Sequence, residues 1–201
     1  MANNSSVSSF LGKVNQGVRP NLFRATINFP NSATFAGDAD LRELLCKSAA
    51  LPASNLGVIE VPFRGRTVKI AGDRTFDTWT ATFINDRNFV IRHSMEKWMQ
   101  EINAHEANTA ARHVPNSAAT GYIADITIDQ LERDTAATGS TLRSYKLHGC
   151  FPTNVSQIDL AYDSNDQIED FTVEFQLQYW TVISPSTTPA AGSVTTTGVI
   201  E

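Results

Sequence analysis

Residues 171–183, FTVEFQLQYWTVI, alternate large apolar side chains with polar ones, and this segment decides the fold class. A period of two sends successive side chains to opposite faces of a β-strand. We predict an apolar face of Phe171, Val173, Phe175, Leu177 and Tyr179, and a polar face of Thr172, Glu174, Gln176 and Gln178. An antiparallel sheet with one face in the core and the other in water has this pattern.

The same alternation recurs in residues 122–131 and 75–84, and shorter strands are predicted at 22–29, 44–50 and 142–151. In the first segment, polar side chains at every second position separate apolar ones, namely Asp125, Thr127 and Asp129 between Ala124, Ile126 and Ile128. We therefore predict a mainly β (α+β) fold, an antiparallel β-sandwich or partial barrel, in one body over residues 21–183.

A β-hairpin is predicted where residues 58–61 and 66–70 flank the segment PFRG. Gly65 can supply the positive φ of a tight turn. Pro62 cannot donate a ladder hydrogen bond, so the hairpin should lie at a sheet edge or project from the body. Gly72 and Asp73 are predicted to form the next turn.

One amphipathic helix is predicted over residues 88–108, after the capping residues Asn85 and Asp86. Its apolar stripe, which should pack on the sheet, consists of Ile91, Met95, Trp98, Met99 and Ile102.

The two ends differ from the body in composition. Residues 1–20 are rich in Ser and Asn, and residues 184–201 in Ser, Thr, Pro, Ala and Gly. We predict a flexible N-terminal arm and a flexible C-terminal tail. A secretory signal and a long apolar run are not evident, so the chain is expected to stay soluble in the cytoplasm where it is made.

Composition and motifs argue against an enzyme or a sequence-specific DNA reader. The formal charge is −5, and the basic residues are scattered apart from Arg64, Arg66 and Lys69. Gly-rich phosphate loops and the common catalytic motifs are missing, and the four histidines do not converge. Asp163 and Asp166 lie in a turn-like segment typical of solvated carboxylates. We predict no catalytic residues, no cofactor and no metal, with Cys46 and Cys150 as buried free thiols.

Several collinear blocks resemble the tail tube proteins of T-even-like contractile-tailed bacteriophages. They include CKSAALP at 46–52, IEVPFRGR at 59–66, GDRTF at 72–76, YKLHGCFP at 145–152 and FTVEF at 171–175. The resemblance covers roughly residues 20–183 and none of its blocks is catalytic.

This resemblance implies a structural role. Members of the family form hexameric rings whose sheets join into a continuous β-barrel, and the rings stack into a tube inside a contractile sheath. The implied partners are other copies of the chain, the sheath protein, and baseplate and tail terminator proteins. Genomic DNA would pass through the lumen without specific binding, and the chain would bind no membrane. Its location would be the virion, and the host cytoplasm during assembly.

The resemblance and the strand pattern together assign two surfaces. The hairpin tip, Phe63, Arg64, Gly65 and Arg66, is predicted to contact the neighbouring ring. The lumen is predicted to be lined by Asp125, Thr127, Asp129, Glu174, Gln176 and Gln178, whose carboxylates would repel DNA phosphates.

Two alternatives remain open. A tube subunit of a contractile bacteriocin or type VI secretion apparatus would have the same fold and a different cargo. A monomeric ligand-binding β-barrel would have a pocket and would not polymerise.

Overall fold

The computed structural model describes residues 7–14, 17–30, 43–107, 109–110, 121–132, 141–163 and 165–183. The elements in chain order are α1 (Val7–Val14), β1 (Phe23–Ile27), β2 (Cys46–Ala49), β3 (Asn55–Phe63), β4 (Arg66–Thr75), β5 (Trp79–Ile84), α2 (Val90–Ile102), β6 (Ala124–Leu131), β7 (Thr141–Val155), β8 (Asp170–Gln176) and β9 (Tyr179–Ile183). No helix in the described part of the chain has the length and apolar content that a membrane span requires.

A seven-stranded antiparallel sheet forms the body, in the order β1-β6-β7-β8-β5-β2, with β9 also paired to β7. β3 and β4 form a separate two-stranded sheet. The prediction of a mainly antiparallel β fold with one packed helix and a projecting hairpin is confirmed.

β7 connects the two halves of the body. Its first half pairs with β6 and β9, and its second half, beyond Cys150, pairs with β8. Between the halves, His148 and Gly149 lie opposite the single residue Asp125. Gly149 has φ +63°, and a Cβ there would lie 2.8 Å from the Cγ atom of Gln178. This β-bulge therefore requires glycine.

The core lies between the apolar faces of the sheet and α2. The alternation predicted for β5, β6 and β8 is confirmed, because Phe83, Ile126 and Phe175 are buried. Trp98 of α2 packs between Phe29 and Phe175, and its indole nitrogen donates a hydrogen bond to the carbonyl of Tyr122 at 2.6 Å. This hydrogen bond satisfies the indole N–H that the core would otherwise leave unpaired.

α2 is shorter than predicted. The Asp86 carboxylate accepts hydrogen bonds from the backbone N–H groups of Asn88 and Val90, which fixes the start of the helix. The predicted end at residue 108 is wrong, because Asn103 is extended and forms a β-bridge with Ala110. Residue 108 itself lies outside the described residues.

Two predicted strand boundaries in the first half of the chain are wrong. Gly72 and Asp73 do not form a turn, because β4 continues to Thr75. Gly72 lies against Gly57 at a register shift, where a Cβ would come within 3.1 Å of the facing backbone. β5 accordingly begins at Trp79 and not at Thr75.

Two boundaries in the second half are also wrong. β7 passes through Pro152 to Val155, because Pro152 lies at a register shift where β6 has already ended. The segment 171–183 is two strands, interrupted at Leu177 and Gln178. The alternation changes phase there, so that Tyr179 joins the polar face beside His148 and not the core.

The predicted arm, residues 1–20, contains α1, whose apolar side chains Val7, Phe10, Leu11 and Val14 are exposed. The flexibility of the arm stays a prediction. The predicted tail, residues 184–201, lies outside the described residues.

Candidate assembly surfaces

The β3–β4 hairpin presents an apolar surface to solvent. Its register pairs Ile59 with Ile70, Val61 with Val68 and Phe63 with Arg66, and directly opposite residues share a face. We call the five apolar members of this face, Ile59, Val61, Phe63, Val68 and Ile70, the apolar ladder; all of them are exposed. On the opposite face Lys69 pairs with Glu60 at 3.5 Å. A face of five large apolar side chains, all exposed to solvent, is typical of an interaction surface.

The four residues predicted for the inter-ring contact lie together at the hairpin tip. Phe63 and Arg66 are the last paired residues, and Arg64 and Gly65 form the two-residue turn. Both turn residues have positive φ, +45° and +83°, as a type I′ turn requires. The Arg64 guanidinium lies 5.4 Å from the centre of the Phe63 ring. The tip therefore offers apolar and cationic groups side by side.

A row of paired charges crosses the outer face of β1, β6 and β7. Asp129 is directly opposite Arg24 on one side and Ser144 on the other. It accepts hydrogen bonds from the Arg24 guanidinium, at 3.1 Å, and from the Ser144 hydroxyl. Asp129 is only 8% exposed, so its charge is directed into this row and not into solvent.

The bulge holds a second charged cluster, centred on Asp125. Its carboxylate lies 2.9 Å from the Lys146 ammonium and accepts a hydrogen bond from the Gly149 amide at 3.2 Å. Burial opposes ionisation of Asp125, but these hydrogen bonds and the positive charge of Lys146 outweigh it, so its pKa is lowered.

His148 completes the Asp125 cluster. Its ring stacks on Tyr179, and Nε2 shares a hydrogen bond of 2.9 Å with the Thr181 hydroxyl. Burial lowers the pKa of the imidazole, even though Asp125, 3.7 Å away, favours its charged form; Lys146 adds to the lowering. The imidazole is therefore neutral at neutral pH, and Lys146 is the cation that Asp125 holds.

Five of the six predicted lumen residues fall into two groups, and Gln178 lies apart from both. Asp125, Thr127 and Asp129 lie on one face of β6, among the charged groups just described. Glu174 and Gln176 lie on β8 with Thr172, beside threonines of β5, and β7 separates them from β6. Gln178 lies at the interruption between β8 and β9, over Gly149.

The helix residues predicted to pack on the sheet differ in burial. Ile91, Met95 and Trp98 are buried, whereas Met99 and Ile102 are half-buried. On the exposed side, a groove of about 950 Å³ runs between α2 and the end of β7, and His93 and His105 are among the residues that line it.

Across the described ranges there is no group of three or more His, Cys, Asp or Glu side chains placed to hold a metal ion.

The two cysteines are buried and free, as predicted. Burial raises the pKa of Cys46 to about 11 and that of Cys150 to about 12. Thiols with such pKa values are poor nucleophiles at neutral pH.

Sequence reasoning missed the partners of the predicted carboxylates, Arg24, Ser144 and Lys146. The alternation of β7 contains a signal for two of them, since Ser144, Lys146 and His148 alternate with the apolar Tyr145 and Leu147. Arg24 is 105 positions from Asp129, and only the strand register brings the two together.

Comparison with known proteins agrees with this architecture. The chain is 34% identical over 163 residues to tail tube protein gp19 of Enterobacteria phage T4, covering 81% of this chain and 90% of that protein. It is 32% identical over 186 residues to the tail tube protein of Serratia phage KSP90, covering 90% and 97%. A chain of the tube-terminating cap of the anti-feeding prophage has the same fold, with a TM-score of 0.57, 18% identity, and coverage of 84% and 91%. Residues 18–183 match the family described as phage tail tube protein, and the chain belongs to that family.

Proposed function

We propose that this chain is the structural subunit of the inner tail tube of a contractile-tailed phage, forming hexameric rings that stack into a conduit for DNA. Membership of the tail tube family over residues 18–183 is the observation that carries the proposal. In this proposal the chain has no catalytic activity and no cofactor. Its partners are other copies of itself, the sheath, and baseplate and terminator proteins, and it does not bind membranes.

The open hairpin supports self-assembly physically. Two-stranded sheets are marginally stable alone, and an exposed apolar ladder adds a cost in water that a neighbouring subunit would remove. Ring closure would also pair sheet edges that are otherwise open to aggregation. We propose that the tip residues Phe63, Arg64, Gly65 and Arg66 contact the adjacent ring.

We further propose that Asp125, Thr127, Asp129, Glu174, Gln176 and Gln178 line the channel. The structure changes the role we give to the β6 carboxylates. Asp125 holds Lys146, and Asp129 together with Glu43 holds Arg24; both cations would otherwise be available to DNA phosphates. A charge-paired wall would bind passing DNA weakly, because few counterions are released by contact with it.

Electron microscopy of the purified chain tests the proposal. We expect six-membered rings and stacked tubes at high protein concentration, or after seeding with short tube fragments. The virion location requires a second measurement. The chain should be found by mass spectrometry in phage tubes from which the sheath has been removed, and it is expected in the host cytoplasm only before assembly.

Two results would contradict this function. A chain that stays monomeric even with seeds, and binds a small molecule in a pocket, would support the ligand-binding barrel. Tubes that assemble but occur outside DNA-containing particles would support a bacteriocin or type VI apparatus.

A further inference from the structure

We propose that the loop between β7 and β8, residues 156–169, is the surface on which the hairpin tip of a second copy of this chain docks. This inference rests on the proposed self-assembly and names the receptor that the tip requires.

The tip carries charge that its own subunit does not neutralise. Within the described residues, neither Arg64 nor Arg66 forms an ion pair, whereas the nearby Lys69 pairs with Glu60. Arg64 also occupies a left-handed backbone conformation, which glycine and asparagine adopt more readily than arginine. The turn itself therefore does not favour arginine at this position, and the positive charge requires another explanation.

The receptor loop has the complementary character. It contains Asp159, Asp163, Asp166 and Glu169 and no Lys, Arg or His. None of the four carboxylates forms an ion pair with another described residue; Glu169 accepts a hydrogen bond from the Asn85 amide.

The same loop exposes apolar groups around a groove. Leu160, Tyr162 and Ile168 are all more than three-quarters exposed. They line a groove of about 730 Å³, with Asp159 and Glu169 along it. A groove that combines apolar walls with carboxylates matches a tip that combines Phe63 with two guanidinium groups, because arginine pairs well with carboxylates at interfaces.

The strand register places the base of the hairpin and the loop at opposite ends of the β5–β8 pair. β5 and β8 pair from Trp79 with Phe175 at one end to Ile84 with Asp170 at the other. The hairpin precedes β5 at the Trp79 end, and the loop precedes β8 at the Asp170 end. The length of β8 between these ends is about 20 Å. A hairpin that extends from one end of the sheet and a different, complementary loop at the other end can make a head-to-tail contact, which generates rings or filaments.

Reciprocal charge reversal tests the pairing. The tip variant is Arg64→Glu with Arg66→Glu, and the loop variant is Asp159→Arg with Glu169→Arg, the two carboxylates along the groove; all four residues are exposed. We expect each variant alone to raise the critical concentration for tube formation, measured by sedimentation, about tenfold or more. An equimolar mixture of the two should assemble within a few-fold of wild type, because each reversed tip meets a reversed loop.

Matched controls keep the charge changes and move them elsewhere. Glu101→Arg with Glu106→Arg changes the net charge as the loop variant does, and Arg19→Glu with Lys97→Glu, both outside the hairpin and the loop, changes it as the tip variant does. Both controls should assemble like wild type. Rescue in the mixture also shows that the two variants are folded. In addition, Arg64→Asn keeps a turn-compatible residue and should weaken assembly less than Arg64→Glu.

The outcomes separate this inference from the proposed function. If the loop variant assembles like wild type, or if the mixture is no better than either variant alone, the loop is not the receptor, although the chain remains a tube subunit. If wild-type chains form neither rings nor tubes even with seeds, the proposed function fails and this inference fails with it.

Discussion

Removing the charges of Asp125 and Asp129 should make tubes of this protein retain DNA. The change Asp125→Asn with Asp129→Asn frees Lys146 and Arg24 from the carboxylates that lie 2.9 Å and 3.1 Å from them. The free energy of unfolding should fall by only about 1–2 kcal/mol. The loss is small because asparagine still accepts the Ser144 and Gly149 hydrogen bonds, and because solvent screens the partly exposed cations.

The size of the DNA effect follows from the number of freed cations. Each subunit frees Lys146 and partly frees Arg24, which keeps Glu43 at 4.0 Å. The proposed ring of six would therefore offer between six and twelve freed cations, of which a duplex contacts a few at a time. Every phosphate contact makes binding about 3.5-fold weaker between about 50 mM and about 200 mM salt. Three simultaneous contacts would therefore give a loss of roughly 40-fold over this range.

Co-sedimentation of short duplex DNA with open-ended tubes measures this effect. Wild-type tubes should retain little DNA at any salt concentration, and the double variant should retain it with the steep salt dependence given above. Glu101→Gln with Glu106→Gln is the matched control, because it removes two charges on the helix side. If the double variant retains no more DNA than this control, the face of Asp125 and Asp129 does not line the channel.

Three further predictions concern folding. Trp98→Phe should lower the free energy of unfolding by about 2–4 kcal/mol, because it leaves the Tyr122 carbonyl unpaired in the core. Trp180→Phe, at a half-buried position, should cause a smaller loss; urea titration measures both. Phe89→Asn should raise the thermal midpoint of unfolding slightly, because asparagine adopts the exposed left-handed conformation (φ +55°) with less strain than phenylalanine. A lower midpoint would mean that the Phe89 ring stabilises the fold. Because the pKa of His148 is lowered in the folded chain, the unfolded chain binds more protons than the folded chain as the pH falls from 7 to 5. The free energy of unfolding should therefore decrease over this range, and decrease less in His148→Gln. Equal slopes of the urea midpoint against pH in the two proteins would contradict this.

Much of the body could be predicted because burial sets the periodicity. The side chains Phe83, Ile126 and Phe175 are buried for the same reason that they recur at every second position. The hairpin could be predicted from two residues: Pro62 is disfavoured in a central strand, and Gly65 readily adopts the positive φ of a tight turn.

Features that depend on long-range pairing could not be predicted. Tyr179 leaves the apolar face because of the irregularity beside the Gly149 bulge, which no local pattern reveals. The end of α2 is set by the bridge between Asn103 and Ala110, and not by helix propensity. The pairing of Arg24 with Asp129 depends on the register between β1 and β6, and it turns an apparently acidic face into a charge-balanced one.

Burial of the two thiols has a consequence for durability. With pKa values raised by burial to about 11 and about 12, Cys46 and Cys150 are almost entirely protonated at neutral pH. Oxidation begins at the thiolate, so dissolved oxygen and peroxides would act on these sulfur atoms very slowly. A particle stored in aerated water would thus keep its cysteines in the form in which they were synthesised, without needing disulfides or a reducing compartment to protect them.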